Sequence, residues 1–268
     1  MIKDITIGQY FPGKSPVHRL DARVKILLTI VFIVMLFIAD DISGLCVGVA
    51  FTFITFIISR IPLKMMWKSL RTILVIIIIT SLLNLFFIHT GTPVLEWKFI
   101  KITDKGIETA VFMVVRIACL IIGTSLLTYT TSPIDLTDAI ERLMSPLKKI
   151  KVPVHELAMM MTIALRFIPT LIEETDKIMS AQKARGADME TGSIFKKAKA
   201  LVPILIPLFV SSFRHAEELA LAMECRCYHG GEGRTRMKQL KLRLTDLWGV
   251  LYISVFFAGV IVLNHIAK

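Results

Sequence analysis

Charge is what long stretches of this 268-residue chain lack: no Asp, Glu, Lys or Arg occurs in 26–39, 42–59, 72–95, 117–134 or 247–264. Hydrocarbon about 30 Å thick takes roughly 20 helical residues to cross, so these runs exclude an ordinary soluble domain and predict several membrane spans. The run at 26–39 is short, at 14 residues, but Arg23, Lys25, Asp40 and Asp41 flank it and can reach outward. Catalytic groupings are missing as well. The chain has no paired intramembrane aspartate, no histidine–glutamate zinc motif and no serine–histidine pairing, and its six histidines are scattered. No catalytic residue and no cofactor is expected.

Cysteine is scarce, with four residues: Cys46 and Cys119 fall inside apolar runs, and Cys225 and Cys227 stand one residue apart. That excludes a disulfide framework. Cys225, Cys227 and His229 lack a fourth ligand and the spacing of a zinc site, so no metal is expected. The stretch Gly230–Thr235 has the glycines of a phosphate loop but not its lysine, and it follows no strand, so the chain itself should bind no nucleotide. No signal peptide is expected, because the first apolar run begins after Lys25 and no small-residue cleavage site follows it. Acidic residues are fewer than basic ones, 21 against 32, giving a formal charge of +11. In a chain that is 54% hydrophobic with mean hydropathy +0.68, that excess reports cytoplasmic loops rather than nucleic acid.

The basic residues also give an orientation. The arm 1–25 carries Lys3, Lys14, Arg19, Arg23 and Lys25 against Asp4 and Asp21. The first connection is acidic (Asp40, Asp41), the second basic (Arg60, Lys64, Lys68, Arg71), and the third balanced. The positive-inside rule then puts 1–25 in the cytoplasm, four spans in 26–130, a cytoplasmic block at 131–246 and a last span in 247–268. The C-terminus falls outside. The expected fold is an all-α polytopic membrane protein of about five transmembrane helices with a cytoplasmic domain of long amphipathic helices.

Within the charged block, Ser132 suits an N-cap and Pro133 a first helical position, for a helix ending near Met144 at Ser145-Pro146. A second helix from about His155 places Leu157, Met161, Ala164, Ile168, Leu171, Ile178 and Gln182 along one stripe. A third is expected from about Ala200. The apolar halves, 157–172 and 200–213, are short for spans. They either enter the bilayer as a hairpin, giving seven spans, or lie beneath it; Arg166, Pro203 and Pro207 favour the second reading. Met159, Met160, Met161 and Met179 suit a surface that repacks against several partners, and suit ordinary core filling equally well. Arg166 is grouped with that surface. Arg116, inside the fourth run, either snorkels or pairs with Glu108, and Asn84 is expected to tie helices together.

Two helix-ending segments carry the strongest functional signal: 181–186, with Ala184-Arg185-Gly186, and 222–227, with Cys225-Arg226-Cys227. One arginine followed by glycine reads as a helix C-cap. The second arginine, 41 residues on, aligns Ala181 with Ala222 and Ile178 with Leu219. Guanidinium makes bidentate pairs with carboxylates, so two such tips suit two similar acidic grooves.

The chain resembles the transmembrane T subunit of energy-coupling factor transporters nearly end to end. Gln9–Lys25 resembles the family's N-terminal signature, Thr130–Pro133 the opening of its coupling domain, and Ala184-Arg185-Gly186 its Ala-Arg-Gly motif. At the second motif only Arg226 carries over; Cys227 in place of glycine puts the cap geometry there in question, though not the charge. The tail Tyr228–Arg236 resembles the group whose T subunit is shared among several substrate-binding subunits. The resemblance implies a scaffold and energy-coupling subunit of an ATP-driven vitamin or micronutrient importer in a prokaryotic plasma membrane. Two ABC-type ATPase subunits would dock on the two arginine segments, and a membrane-embedded substrate-binding subunit would be the third partner. The rival readings are a lipid-modifying membrane enzyme, which needs a polar catalytic cluster, and a self-sufficient secondary transporter. The latter needs inverted repeats and helices broken at mid-membrane, whereas the repeat here is confined to the charged block.

Overall fold

The computed structural model describes residues 10–88, 92–97, 100–187, 193–230 and 240–266. In chain order these form α1 (Pro16–Arg19), α2 (Ala22–Ile38), α3 (Ile42–Ser59), α4 (Leu63–Phe87), β1 (Pro93–Trp97) and β2 (Ile100–Thr103). There follow α5 (Asp104–Thr130), α6 (Pro133–Leu143), a 3-10 turn (Ser145–Ile150), α7 (Val154–Ala184), α8 (Ile194–Glu224) and α9 (Leu244–Ile266). They divide into two compact units, Gly8–Leu136 with Gln239–Lys268, and Thr137–Lys238.

Among the described residues, six helices are long and apolar enough to cross a membrane: α3, α4, α5, α7, the Lys199–Glu224 part of α8, and α9. The chain is an all-α polytopic membrane protein. Its one β element among the described residues is an antiparallel β1–β2 hairpin in the third connection, where the sequence suggested only a balanced charged loop. With 17 residues, α2 is shorter than the other apolar helices and spans about 25 Å. The apolar halves 157–172 and 200–213 belong to longer helices, as the sequence suggests. Each belongs to a continuous helix of 31 residues that runs through its prolines, and α8 begins at Ile194, not near Ala200.

The core of the first unit forms where α2 packs against α3, α5 and α9. Met35 and Leu36 are fully buried, Phe32 stacks on Phe51 at 5.3 Å, and Phe51 also stacks on Tyr252 at 5.0 Å. Glycine permits this closeness. A Cβ on Gly123 would stand 2.2 Å from the buried Phe32 ring, and one on Gly48 2.5 Å from Leu36. By contrast, α4 buries no residue, touches α5 and turns Val75, Ile76, Ile79 and Phe87 outward.

Cations close the C-termini of two of these helices, where unpaired carbonyls and the helix dipole favour positive charge. Lys25 Nζ donates to Thr130 O at 2.8 Å and Thr131 Oγ1 at 3.2 Å, past the end of α5. Arg116 donates to the carbonyl of Ala39, the C-cap of α2, and lies 4.5 Å over the Phe112 ring. The expected alternative partner of Arg116, Glu108, is therefore not the one it uses. Asn84 also departs from expectation: its amide donates to Thr80 O in its own helix, 3.0 Å away, instead of to a neighbour.

The N-terminal arm is a hydrogen-bonded knot. Phe11 N–H donates to Tyr129 O at 2.9 Å. Asp21 caps α2 and pairs with Arg23 at 2.8 Å, while its own N–H donates to Asp246 Oδ1 at 2.7 Å. The other Asp246 oxygen accepts from Arg243 N–H at 2.6 Å. The arm thus fastens the neighbouring ends of α2, α5 and α9.

His18 completes the knot and makes it sensitive to acid. Its Nδ1 lies 2.7 Å from Ser15 Oγ and its Nε2 3.0 Å from Phe11 O. A neutral ring satisfies both, accepting from the hydroxyl and donating to the carbonyl. Burial holds the His18 pKa below its ordinary value and the nearby Lys25 charge adds to this, against the Phe11 hydrogen bond. A depressed histidine pKa means the unfolded arm takes up a proton before the folded arm does. The arm keeps its full stability above the ordinary histidine value of about 6.5 and loses it as pH falls through that value and below. Amide hydrogen exchange over 11–20, corrected for intrinsic rates, should quicken from pH 8 to 5.5. In His18→Gln that pH dependence should vanish; if it persists unchanged, His18 is not its source.

Candidate partner-docking site

Each long helix of the second unit ends in the same backbone device. After α7, Gly186 N–H bonds Lys183 O at 3.0 Å and Ala187 N–H bonds Gln182 O at 3.0 Å, with Gly186 at φ +85°. After α8, Cys227 N–H bonds Glu224 O at 2.9 Å and Tyr228 N–H bonds Met223 O at 3.0 Å, with Cys227 at φ +55°. Both are Schellman caps, in which a left-handed residue lets the chain fold back onto the last carbonyls. A shift of 41 residues superimposes the two, donor on donor and acceptor on acceptor, and places Arg185 on Arg226.

This corrects the doubt raised by Cys225-Arg226-Cys227. The glycine is gone, but Cys227 adopts the left-handed conformation in its place, at a cost of about 1–2 kcal/mol for a residue with a Cβ. Cys227→Gly should relieve most of that strain, and Cys227→Val should increase it because a branched Cβ fits the region worst. Hydrogen exchange at the 227 and 228 amides reads this directly, slower in the glycine variant and faster in the valine variant. Equal rates in all three would mean that the cap is not held in solution.

The sequence-predicted residues are well displayed. Ala184, Arg185 and Gly186 are exposed, as are Cys225, Arg226 and Cys227. Neither guanidinium makes an ion pair among the described residues. Met160 and Met161 are 54% and 48% exposed, Arg166 is exposed, and Met159 and Met179 are half-buried.

The partners between α7 and α8 run in opposite directions. Gln182 Nε2 donates to Pro203 O at 3.4 Å, Ser211 Oγ to Glu174 Oε1, and Phe167 stacks on His215 at 6.1 Å. Ile163 and Met223 line one cavity of about 280 Å³. The helices are therefore antiparallel, and the arginine caps lie at opposite ends of the pair, roughly 40 Å apart along it at 1.5 Å per residue.

The same 41-residue shift carries Glu174 onto His215, and these two are in contact, Oε2 to Nε2 at 3.8 Å. Two equivalent positions touch each other only near a two-fold axis. The shift also carries Gln182 onto Met223: Gln182 meets Pro203 at one end, and at the other Met223 shares a cavity wall with Ile163, one residue from Thr162, the counterpart of Pro203. The α7–α8 pair thus has approximate two-fold symmetry. Sequence inspection noted the repeated arginine but not this mid-helix pair, which the same alignment contains once extended toward the N-terminus.

A family model described as cobalt transport protein, CbiQ, matches residues 13–237. The chain belongs to this family. Curated relatives named energy-coupling factor transporter transmembrane protein EcfT are similar along nearly the whole chain. The protein of Clostridium kluyveri is 58% identical over 247 residues, 92% of each chain. That of Ruminiclostridium cellulolyticum is 52% identical over 266 residues, 99% of each chain. That of Bacillus subtilis is 47% identical over 240 residues, 90% of this chain and 91% of its own. The family match takes in the arm from Gly13 onward, α2 to α8 and both arginine caps.

Proposed function

We propose that this protein is the transmembrane scaffold and energy-coupling subunit of an energy-coupling factor importer. The reading places the N-terminus and the 131–246 block in the cytoplasm of a prokaryotic cell, with the C-terminus outside. Two ABC-type ATPase subunits dock there, one on Arg185 with Ala184 and Gly186, the other on Arg226 with Cys225 and Cys227. ATP binding and hydrolysis in those subunits draw the tips together and apart. The long helices carry that motion to a membrane-embedded substrate-binding subunit, which meets the apolar sides of α7 and α8 where Met160 and Met161 are displayed. This chain contributes no catalytic group of its own.

The observation that carries the reading is the pair of equivalent exposed arginine caps at opposite ends of an antiparallel helix pair. Two tips some 40 Å apart with two-fold symmetry suit two like partners arranged about that axis, and no single groove takes both. A lipid-modifying enzyme or a secondary transporter has no use for such duplication.

Tagged protein drawn from its native membrane in mild detergent should bring down two copies of ATPase polypeptide per chain, together with a small hydrophobic protein. Recovery of the chain alone, at detergent concentrations that leave it folded, would count against the scaffold reading.

A further inference from the structure

We propose that Glu174 and His215 form the pivot about which α7 and α8 turn, and that they are positioning residues that keep the two docking tips moving as equals. The inference rests on the scaffold reading above and adds to it the place where the motion is centred.

Geometry gives the first argument. Glu174 precedes Arg185 by 11 residues and His215 precedes Arg226 by 11, so each arm reaches about 16 Å beyond the contact. A rotation centred there displaces both tips by the same amount. Centred anywhere else along the pair, it moves one tip further than the other.

Charge gives the second. Near a two-fold axis a side chain meets its own counterpart, so a faithful repeat would set like charges against each other. This repeat mostly avoids that: Glu173 corresponds to Arg214 and Lys177 to Glu218, with opposite signs, and Glu174 corresponds to the imidazole of His215, while Asp176 and Glu217 keep the same sign. Other features are kept, since Thr170 corresponds to Ser211, both hydroxyl residues, and Arg185 to Arg226. At the contact itself, where self-meeting is the problem to be solved, the carboxylate of Glu174 therefore faces an imidazole and not a second carboxylate; a further change of sign, Lys183 to Glu224, lies toward the tips.

The third argument is that the contact is made only in part. Glu174 Oε1 accepts from Ser211 Oγ, but Oε2 is buried without a hydrogen-bond partner. His215 Nε2 stands 3.8 Å from it, beyond hydrogen-bonding distance, while its Nδ1 lies 3.6 Å from Glu218 on its own helix. Beside the pair is the 280 Å³ cavity, lined by Ile163, Phe167, Leu171, Leu219 and Met223 among others. The helices have space to change their angle, and an orphaned acceptor waits at the point where a small approach would complete a bond. A pivot that must serve more than one crossing angle needs both.

The symmetry supplies a specific test. Glu174→His sets two histidines at the axis, His215→Glu sets two glutamates, and the double exchange rebuilds the original pair with its members interchanged. Each variant would be purified as the full complex and reconstituted in proteoliposomes, and substrate imported per ATP hydrolysed would be measured. Each single exchange should lower that ratio at least about 5-fold, the lower end of usual coupling effects, with ATPase subunits still bound. The double exchange should restore it to within about 2-fold of the unchanged complex. Unaltered ratios in the single exchanges would overturn the proposal, and so would a double exchange no better than the singles.

Glu174→Gln keeps an acceptor for Ser211 and removes only the charge, so it reads the same ratio if a single exchange fails to assemble. It should show a loss in the same direction, and full coupling there would also overturn the pivot. Failure of the scaffold reading is distinguishable, because the unchanged chain would then co-purify with no ATPase at all.

Discussion

Reversing both Arg185 and Arg226 to glutamate should abolish co-purification of the ATPase subunits, while either reversal alone should weaken it and leave a residual complex. The difference follows from how the contacts combine. A guanidinium entering an acidic groove replaces water with charge-assisted bonds on both oxygens of a carboxylate. Removing one partner of such a pair typically costs about 2–5 kcal/mol, largely because the other charge stays buried and unpaired. That is roughly 30- to 5,000-fold in affinity. With one tip intact, the second docking event is still helped by the first. With both reversed, two like-charge juxtapositions replace two pairs and the mutual assistance disappears as well. Arg→Lys should be partly tolerated, because lysine keeps the charge but cannot make the planar fork. Since Arg185 and Arg226 sit on superimposable caps, their single reversals should have effects of similar size. Charge reversal at Lys148 or Lys199, exposed and outside both caps, is the control. If those changes disrupt the complex as strongly, binding is to a diffuse basic surface and the caps have no special role.

How far these features could be read in the sequence depended on whether the signal was local. Uncharged runs mark the apolar helices because hydrocarbon permits little else. Ser132 and Pro133 fixed the start of α6 through cap chemistry, and Ser132 Oγ does accept from Asp135 N–H at 3.1 Å. Arg185 with Gly186 announced a helix end for the same reason. Cys227 was harder, since a cysteine at φ +55° is set by the backbone bonds around it and not by its own preference. The prolines bore only on where the helices lie: Pro203 and Pro207 favoured a place beneath the bilayer, and α7 and α8 run unbroken through Pro169, Pro203 and Pro207. Long-range pairings were invisible. Nothing near Arg116 names Ala39 as its acceptor, and nothing near Lys25 names Thr130. The Glu174–His215 contact lay between these extremes, present in the 41-residue repeat but meaningful only once the two helices were known to be antiparallel.

The arm supplies the second large effect, through Asp246. This carboxylate is 3% exposed and stands at the start of α9, where its two oxygens accept from Asp21 N–H at 2.7 Å and Arg243 N–H at 2.6 Å. One bond crosses 225 residues of sequence and joins the first turn of α2 to α9; the other caps α9 itself. Asp246→Ala leaves both amides without an acceptor. Hydrogen bonds to charged groups are worth about 1.5–3 kcal/mol each, so the loss should come to about 3–6 kcal/mol. At roughly 2–4 °C per kcal/mol for a chain of this size, thermal unfolding in detergent should fall by about 10 °C. Asp246→Asn keeps one oxygen and should lose only part of that. Glu108→Ala removes an equal charge from an exposed site on α5 and should change little. Arg23 offers a cross-check, since its guanidinium holds Asp21 at 2.8 Å and reaches Leu240 O at 3.3 Å on the α9 side of the knot. If the knot acts as one unit, Asp246→Ala combined with Arg23→Ala should cost less than the two single losses added together, because each already loosens what the other holds. Strict additivity would mean that the two ties are independent, and an Asp246→Ala chain that melts with the unchanged protein would mean that the arm is fastened elsewhere.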